Sequence, residues 1–248
     1  MLFKNHGVCL FLFLLLSTSA CTQDKVSSAQ FPGIALTNRI DFIDSKFNQP
    51  RFSCGFLIKH QADTFAVTAK HLLKIIKTTQ MKTLTFENHL KDWILYPLDK
   101  KDELVITGKL LNENKLEGLD DQATYNQDWL LFSIKKNQSQ VKPLTLRTTP
   151  LAPGEKLYVI GWTRKMEDGP QRVYEFEYYK SIGDRLLLKD LIVPETFGGL
   201  SGAPVIDQQG LVVGIVSGGT IDPETKKKYF APCAIDGLVK FIEKLPKK

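Results

Sequence analysis

Between residues 52 and 217 the chain is a succession of short apolar runs cut apart by turn-forming clusters, and this punctuation restricts it to an all-β fold. The runs cover 52–58, 64–68, 104–110, 129–134, 156–162, 172–179, 185–191, 203–206 and 211–217. Between them stand Asn48-Gln49-Pro50, Ala152-Pro153-Gly154, Glu167-Asp168-Gly169-Pro170 and Asp207-Gln208-Gln209-Gly210. Proline presets φ for a turn and glycine supplies positive φ, so each cluster reverses the chain at low cost. Two stretches depart from the β pattern. Residues 70–77 read as a short helix, and residues 236–245 place Leu238, Val239, Phe241, Ile242 and Leu245 on one helical face. With 248 residues the chain accommodates one large β unit or two small barrels sharing a core. A break near the midpoint is expected around 137–151, which is polar and contains proline.

Composition sorts the function classes. Hydrophobic residues at 43% and charged residues at 24% are ordinary for a globular protein. The formal charge of +6 is mild. No dense Arg/Lys block is interleaved with aromatics, which argues against a nucleic-acid partner. The densest run, Lys226-Lys227-Lys228, follows a proline turn and reads as a solvated loop.

Residues 1–20 read as a removable export signal. Lys4 supplies the positive start, residues 8–16 an unbroken apolar stretch, and Ser17-Thr18-Ser19-Ala20 the small residues before cleavage. Cleavage would fall just before Cys21. That arrangement resembles the lipobox of bacterial lipoproteins, which implies lipid modification of Cys21 and a cell-envelope location. Thr18 stands where that pattern usually has Leu, and simple secretory cleavage is the alternative. Residues 21–30 then form a polar tether. Cys9 leaves with the signal, so Cys54 and Cys233 are left to the fold, either paired in an oxidising compartment or as two buried thiols.

The segment Phe197-Gly198-Gly199-Leu200-Ser201-Gly202-Ala203-Pro204-Val205 sets a serine among glycines, just ahead of an apolar strand. Glycines let the backbone turn tightly there. Such a turn can aim successive N–H groups at a developing oxyanion. A serine hydroxyl needs a base to take its proton. His60 and His89 lie in polar surroundings, whereas His71 directly follows the strand Val67-Thr68-Ala69-Lys70. Asp128 is a lone carboxylate immediately ahead of an apolar strand, placed to orient that histidine. The order His71, Asp128, Ser201 is one of the three chain orders in which a Ser-His-Asp triad is built.

On these motifs the chain resembles the trypsin-like, chymotrypsin-fold serine peptidases. Val67-Thr68-Ala69-Lys70-His71 is similar to that family's histidine motif, Asp128-Trp129-Leu130-Leu131 to its aspartate motif, and Gly199–Val205 to its nucleophile loop. Gly214-Ile215-Val216-Ser217-Gly218-Gly219 is similar to its substrate-binding strand edge. The resemblance implies two six-stranded antiparallel β-barrels with a C-terminal helix, the first over 31–140 and the second over 141–248. It implies His71, Asp128 and Ser201 as catalytic residues, with the Gly199 and Ser201 backbone N–H groups as oxyanion hole. Ser217, Gly218 and Gly219 would bind a polypeptide substrate by strand addition. Glu195, six residues before Ser201, would form the base of the primary specificity pocket, with Lys228 on the opposite wall. No metal or organic cofactor is implied, and the membrane is reached only through Cys21.

Two departures stand out. Leu200 replaces the aspartate that digestive members pair with a new N-terminus, and no Ile-Val-Gly-Gly start is present, so bacterial members without such activation are the better comparison. Cys54 has no cysteine partner just after His71. A catalytically silent module that binds peptides or partner proteins is the competing expectation. An α/β-hydrolase would need the order Ser, acid, His and a glycine at Ala203.

Overall fold

The computed structural model describes residues 31–166 and 168–246. In the first half, β1 (Leu36–Phe42), β2 (Gln49–His60), β3 (Asp63–Thr68), β4 (Thr83–Leu84), β5 (Leu90–Tyr96), β6 (Val105–Leu110), β7 (Asn114–Gly118) and β8 (Leu130–Asn137) follow in order. The helix α1 (Leu72–Ile76) lies between β3 and β4. Six of these strands pair in the order β1-β5-β6-β8-β3-β2, and β2 pairs back with β1 to close the ring. Strands β4 and β7 form a separate two-stranded ribbon. The short β9 (Leu144–Thr145) adds parallel to β2, and Leu146 then bridges to Val212, so the chain crosses between barrels there.

The second half holds β10 (Lys156–Gly161), β11 (Arg172–Ile182), β12 (Arg185–Ile192), β13 (Pro204–Ile206), β14 (Val212–Ile221) and β15 (Lys228–Ala234). They close as a barrel in the order β10-β11-β12-β15-β14-β13. The helix α2 (Asp236–Ile242) follows, shorter than the sequence suggests, and Phe241 just inside its end packs on Trp129 of the first half at 5.3 Å between ring centroids.

Why the apolar runs of β2, β3 and β8 do not alternate with polar residues is clear from what they face. Their side chains divide by the two-residue period of a strand. Phe56, Ile58, Val67 and Leu131 enter a cluster shared with the second barrel. Leu57, Ala66, Leu130 and Phe132 enter the interior of the first. These strands are thus buried on both faces and read as near-continuous apolar stretches.

Three barrel strands, β1, β5 and β15, escape the sequence reading, as do the short β4, β7 and β9. Polar residues interrupt the first two, and Asn38 of β1 is fully buried, donating to the carbonyls of Phe52 and Cys54 and accepting from the Trp93 indole. Lys228, expected in a loop, opens β15. Cys54 and Cys233 are both buried free thiols, which decides between the two alternatives. Ahead of β1, the Gln171 side chain accepts from the N–H groups of Ile34 and Ala35 and donates to the Phe31 carbonyl, clamping this segment onto the second barrel. The signal, tether and Cys21 lie outside the described residues.

Candidate active site

Strand β3 ends at Thr68, and His71 sits at the entrance to α1, whose Leu72 and Leu73 are buried and fix the turn. Asp128 enters from the other side, between Gln127 at φ +46° and β8, and is fully buried. Its Oδ1 accepts from the His71 backbone N–H at 2.8 Å. Its Oδ2 meets His71 Nδ1 at 2.6 Å and also accepts from the Ser217 hydroxyl. The Asp128 N–H donates to Cys233 Sγ at 3.3 Å. Burial pushes the carboxyl pKa up, but the hydrogen bonds and charge of His71 and the Ser217 hydroxyl outweigh it and hold the group below its usual 3.8. A proton kept on Nδ1 by this carboxylate leaves Nε2 as an acceptor. Nε2 lies 2.9 Å from Ser201 Oγ. That distance is within the reach a general base needs, so the imidazole can take the hydroxyl proton directly.

The loop carrying Ser201 is held by its own backbone and by packing. The Leu200 N–H donates to the Phe197 carbonyl, closing a turn in which Gly199 has φ +102°. A side chain on Gly199 would run into the Arg164 backbone N, so only glycine fits. Gly202, at φ +82°, has the Cys54 carbonyl and Thr68 hydroxyl where a Cβ would go. The Ser201 carbonyl accepts from the Cys54 N–H at 2.9 Å, tying the loop to β2. Leu200 is fully buried and packs with Cys54 and Ala203 around Gly161. Cys54 Sγ donates to the Gly199 carbonyl at 3.4 Å, and burial pushes its thiol up to about 12. Among the described residues, neither the Gly199 nor the Ser201 N–H donates to a protein acceptor. Two free N–H donors beside a serine hydroxyl are what the binding of an oxyanion requires.

Beyond Val216, which still exchanges bonds with Gly202 and Ala203, residues 218–221 of β14 pair with β15 on one side and, among the described residues, have no strand on the other. Gly218 and Gly219 are exposed along this open edge, while the Ser217 hydroxyl is spent on Asp128. The expected place of Glu195 needs correction. Its side chain is 87% exposed and pairs with Lys165 at 3.2 Å, so it points to solvent and not into the floor of a pocket. Lys228 is exposed as well. Two participants had no signal in the sequence. Tyr125, in a polar loop, stacks on the His71 ring at 5.9 Å, and the Lys74 ammonium lies over Tyr125. Cys54, one of the two buried thiols the sequence allowed for, backs the loop carrying Ser201, a contact no local pattern announces. No group of three or more His, Cys, Asp or Glu side chains gathers as a metal site among the described residues.

Comparison with known proteins agrees with this architecture. The family model described as Trypsin matches residues 40–242. No curated protein matches. Among solved structures, that titled "Structure of GrC" is similar at a TM-score of 0.60 and 18% identity, over 89% of this chain and 96% of that one. The Rv3671c protease from M. tuberculosis in its active form gives 0.56 and 16%, over 89% and 84%. The serine endoprotease from Yersinia pestis gives 0.54 and 14%, over 88% and 64%. At these identities the likeness is one of fold.

Proposed function

The chain belongs to the trypsin family, and from that premise we propose that it is a serine endopeptidase working through His71, Asp128 and Ser201. The observation that carries this reading is the continuous hydrogen-bonded path from Ser201 Oγ through the His71 ring to the buried Asp128, beside two unspent N–H donors. Ser201 Oγ attacks the peptide carbonyl carbon as its proton passes to His71 Nε2. The carbonyl oxygen becomes an oxyanion between the Gly199 and Ser201 N–H groups, and Asp128 stabilises the imidazolium. His71 then gives the proton to the leaving amine, which departs and leaves an acyl-enzyme. Water, deprotonated by His71, hydrolyses the ester and restores Ser201. The substrate backbone lies along the open edge of residues 217–219 as an added strand.

A silent binding module of the same fold is the competing reading. It requires a collapsed nucleophile loop, and the glycine turn at 197–200 argues against that. A fluorophosphonate probe distinguishes the two. The folded protein is expected to be labelled at Ser201 and the Ser201→Ala variant to stay unlabelled; a folded wild type that takes no label defeats the peptidase reading. Export, with lipid attachment at Cys21, belongs to the same proposal and rests on residues 1–21. Mass spectrometry of the mature N-terminus separates an acylated Cys21 from simple cleavage.

A further inference from the structure

A substrate whose carbonyl carbon meets Ser201 Oγ, and whose backbone follows residues 217–219, must send one side chain inward. It is that of the residue on the acyl side of the scissile bond. Strand β15 pairs with the open end of β14, where Phe230 stands opposite Gly219. Three phenylalanine rings, from β11, the loop before Ser201 and β15, meet there. Phe176, fully buried in the barrel, stacks on Phe230 at 4.8 Å between centroids and 19° between planes. Phe230 in turn stacks on Phe197, four residues before the nucleophile, at 4.8 Å and 25°. Stacked rings at that spacing are in contact, so no group passes between them.

We propose that the acyl-side side chain enters between the loop 195–201 and the open edge of β14, and that this chain cleaves after small, uncharged residues, alanine or valine, because the Phe176–Phe230–Phe197 stack leaves only a shallow apolar floor there. The inference rests on the peptidase reading above. A lysine or arginine entering between the loop and β14 would lose water against the apolar stack, and Glu195 would supply no counter-charge, because its carboxylate is in solvent and paired with Lys165. An aromatic side chain would need the volume that Phe230 fills. Phe230 is therefore the specificity-determining residue, with Phe197 as its partner.

The test begins with fluorophosphonate labelling of the wild-type protein, followed by a peptide library varied at the acyl-side residue. The labelled wild type is expected to favour Ala and Val over Lys, Arg, Phe and Tyr by about tenfold or more, the scale set by filling or blocking an apolar pocket. Phe230→Gly should shift the preference towards Leu and Phe by a similar factor, and Glu195→Gln should leave the profile unchanged. Phe197→Ala, which relieves the stack from the loop side, gives the same direction of shift if Phe230→Gly does not fold. A wild type that takes no label defeats the peptidase reading and this inference together. A labelled wild type that cuts after Lys, Arg or an aromatic residue, or cuts no peptide with a small residue there, overturns this inference alone. So does an unshifted profile in a labelled Phe230→Gly or Phe197→Ala protein.

Discussion

At the residue scale the chemistry turns on how Asp128 remains ionised where water does not reach it. Three donors are aimed at its two oxygens: the His71 backbone, the His71 ring and the Ser217 hydroxyl. Their combined effect keeps its pKa below 3.8 despite burial. A carboxyl depressed in the folded state stabilises it fully above the unfolded value and loses that stability as pH falls through the folded value. Ser217→Ala removes one donor and moves the folded value back up. The variant should therefore lose about 1.5–3 kcal/mol at neutral pH, the range for hydrogen bonds to charged groups, and unfold in acid at a higher pH than wild type. Parallel acid titrations followed by circular dichroism measure this; coincident acid midpoints would show that Ser217 does not support the carboxylate. Glu195 teaches the opposite lesson. Its offset from Ser201 fixes only its place in the chain, while the direction of its side chain depends on Lys165, thirty residues away in sequence, and no local pattern records that.

At the scale of elements, the nucleophile loop shows how a motif can be legible while its support is not. The glycines at 199 and 202 and the serine between them announce the turn, because each conformation there excludes a side chain. What holds the turn comes from three other segments: Cys54 of β2, Gly161 at the end of β10 and Val216 of β14. Leu200, fully buried, occupies the hub. Leu200→Ala is accordingly expected to cost about 2–5 kcal/mol, as for other buried leucines, and to slow fluorophosphonate labelling of Ser201 by loosening the donors. Thermal melts and labelling rates measure both effects; a destabilised variant that labels at the wild-type rate would separate the loop's geometry from its packing. The strands follow the same division. Those buried on both faces, β2, β3 and β8, are plain in the sequence as apolar runs. Strand β15 is hidden by Pro232, which lacks a ladder donor. It is tolerated because the register with β14 slips between Ile215 and Gly218, where Pro232 falls. That slip belongs to the pairing of two strands, and neither strand's residues reveal it alone.

For the molecule as a whole, the two barrels share strands' faces as well as the candidate site, to which the first contributes His71 and Asp128 and the second Ser201. Because β2, β3 and β8 present alternate residues to the first barrel's interior and to the shared cluster, opening either core strips one face of the same three strands. Trp129 and Phe241 add a contact between β8's entrance and the C-terminal helix. Chains of several domains often unfold in steps, but here the second barrel cannot leave without exposing Phe56, Ile58, Val67 and Leu131. Denaturant should therefore unfold both barrels in one transition. The two thiols report it from within. Burial pushes both Cys54 and Cys233 up to about 12, so near neutral pH almost no thiolate exists until the surrounding structure opens. Alkylation mapped by mass spectrometry should appear at Cys54, on the barrel interface, and at Cys233, inside the second barrel, at the same denaturant concentration, which should also be the midpoint by circular dichroism. Labelling of Cys54 well below that midpoint, with Cys233 still protected, would mean that the barrels part before they melt. The contact between His71 and Ser201, which joins the two halves, would then be lost while each barrel remained folded.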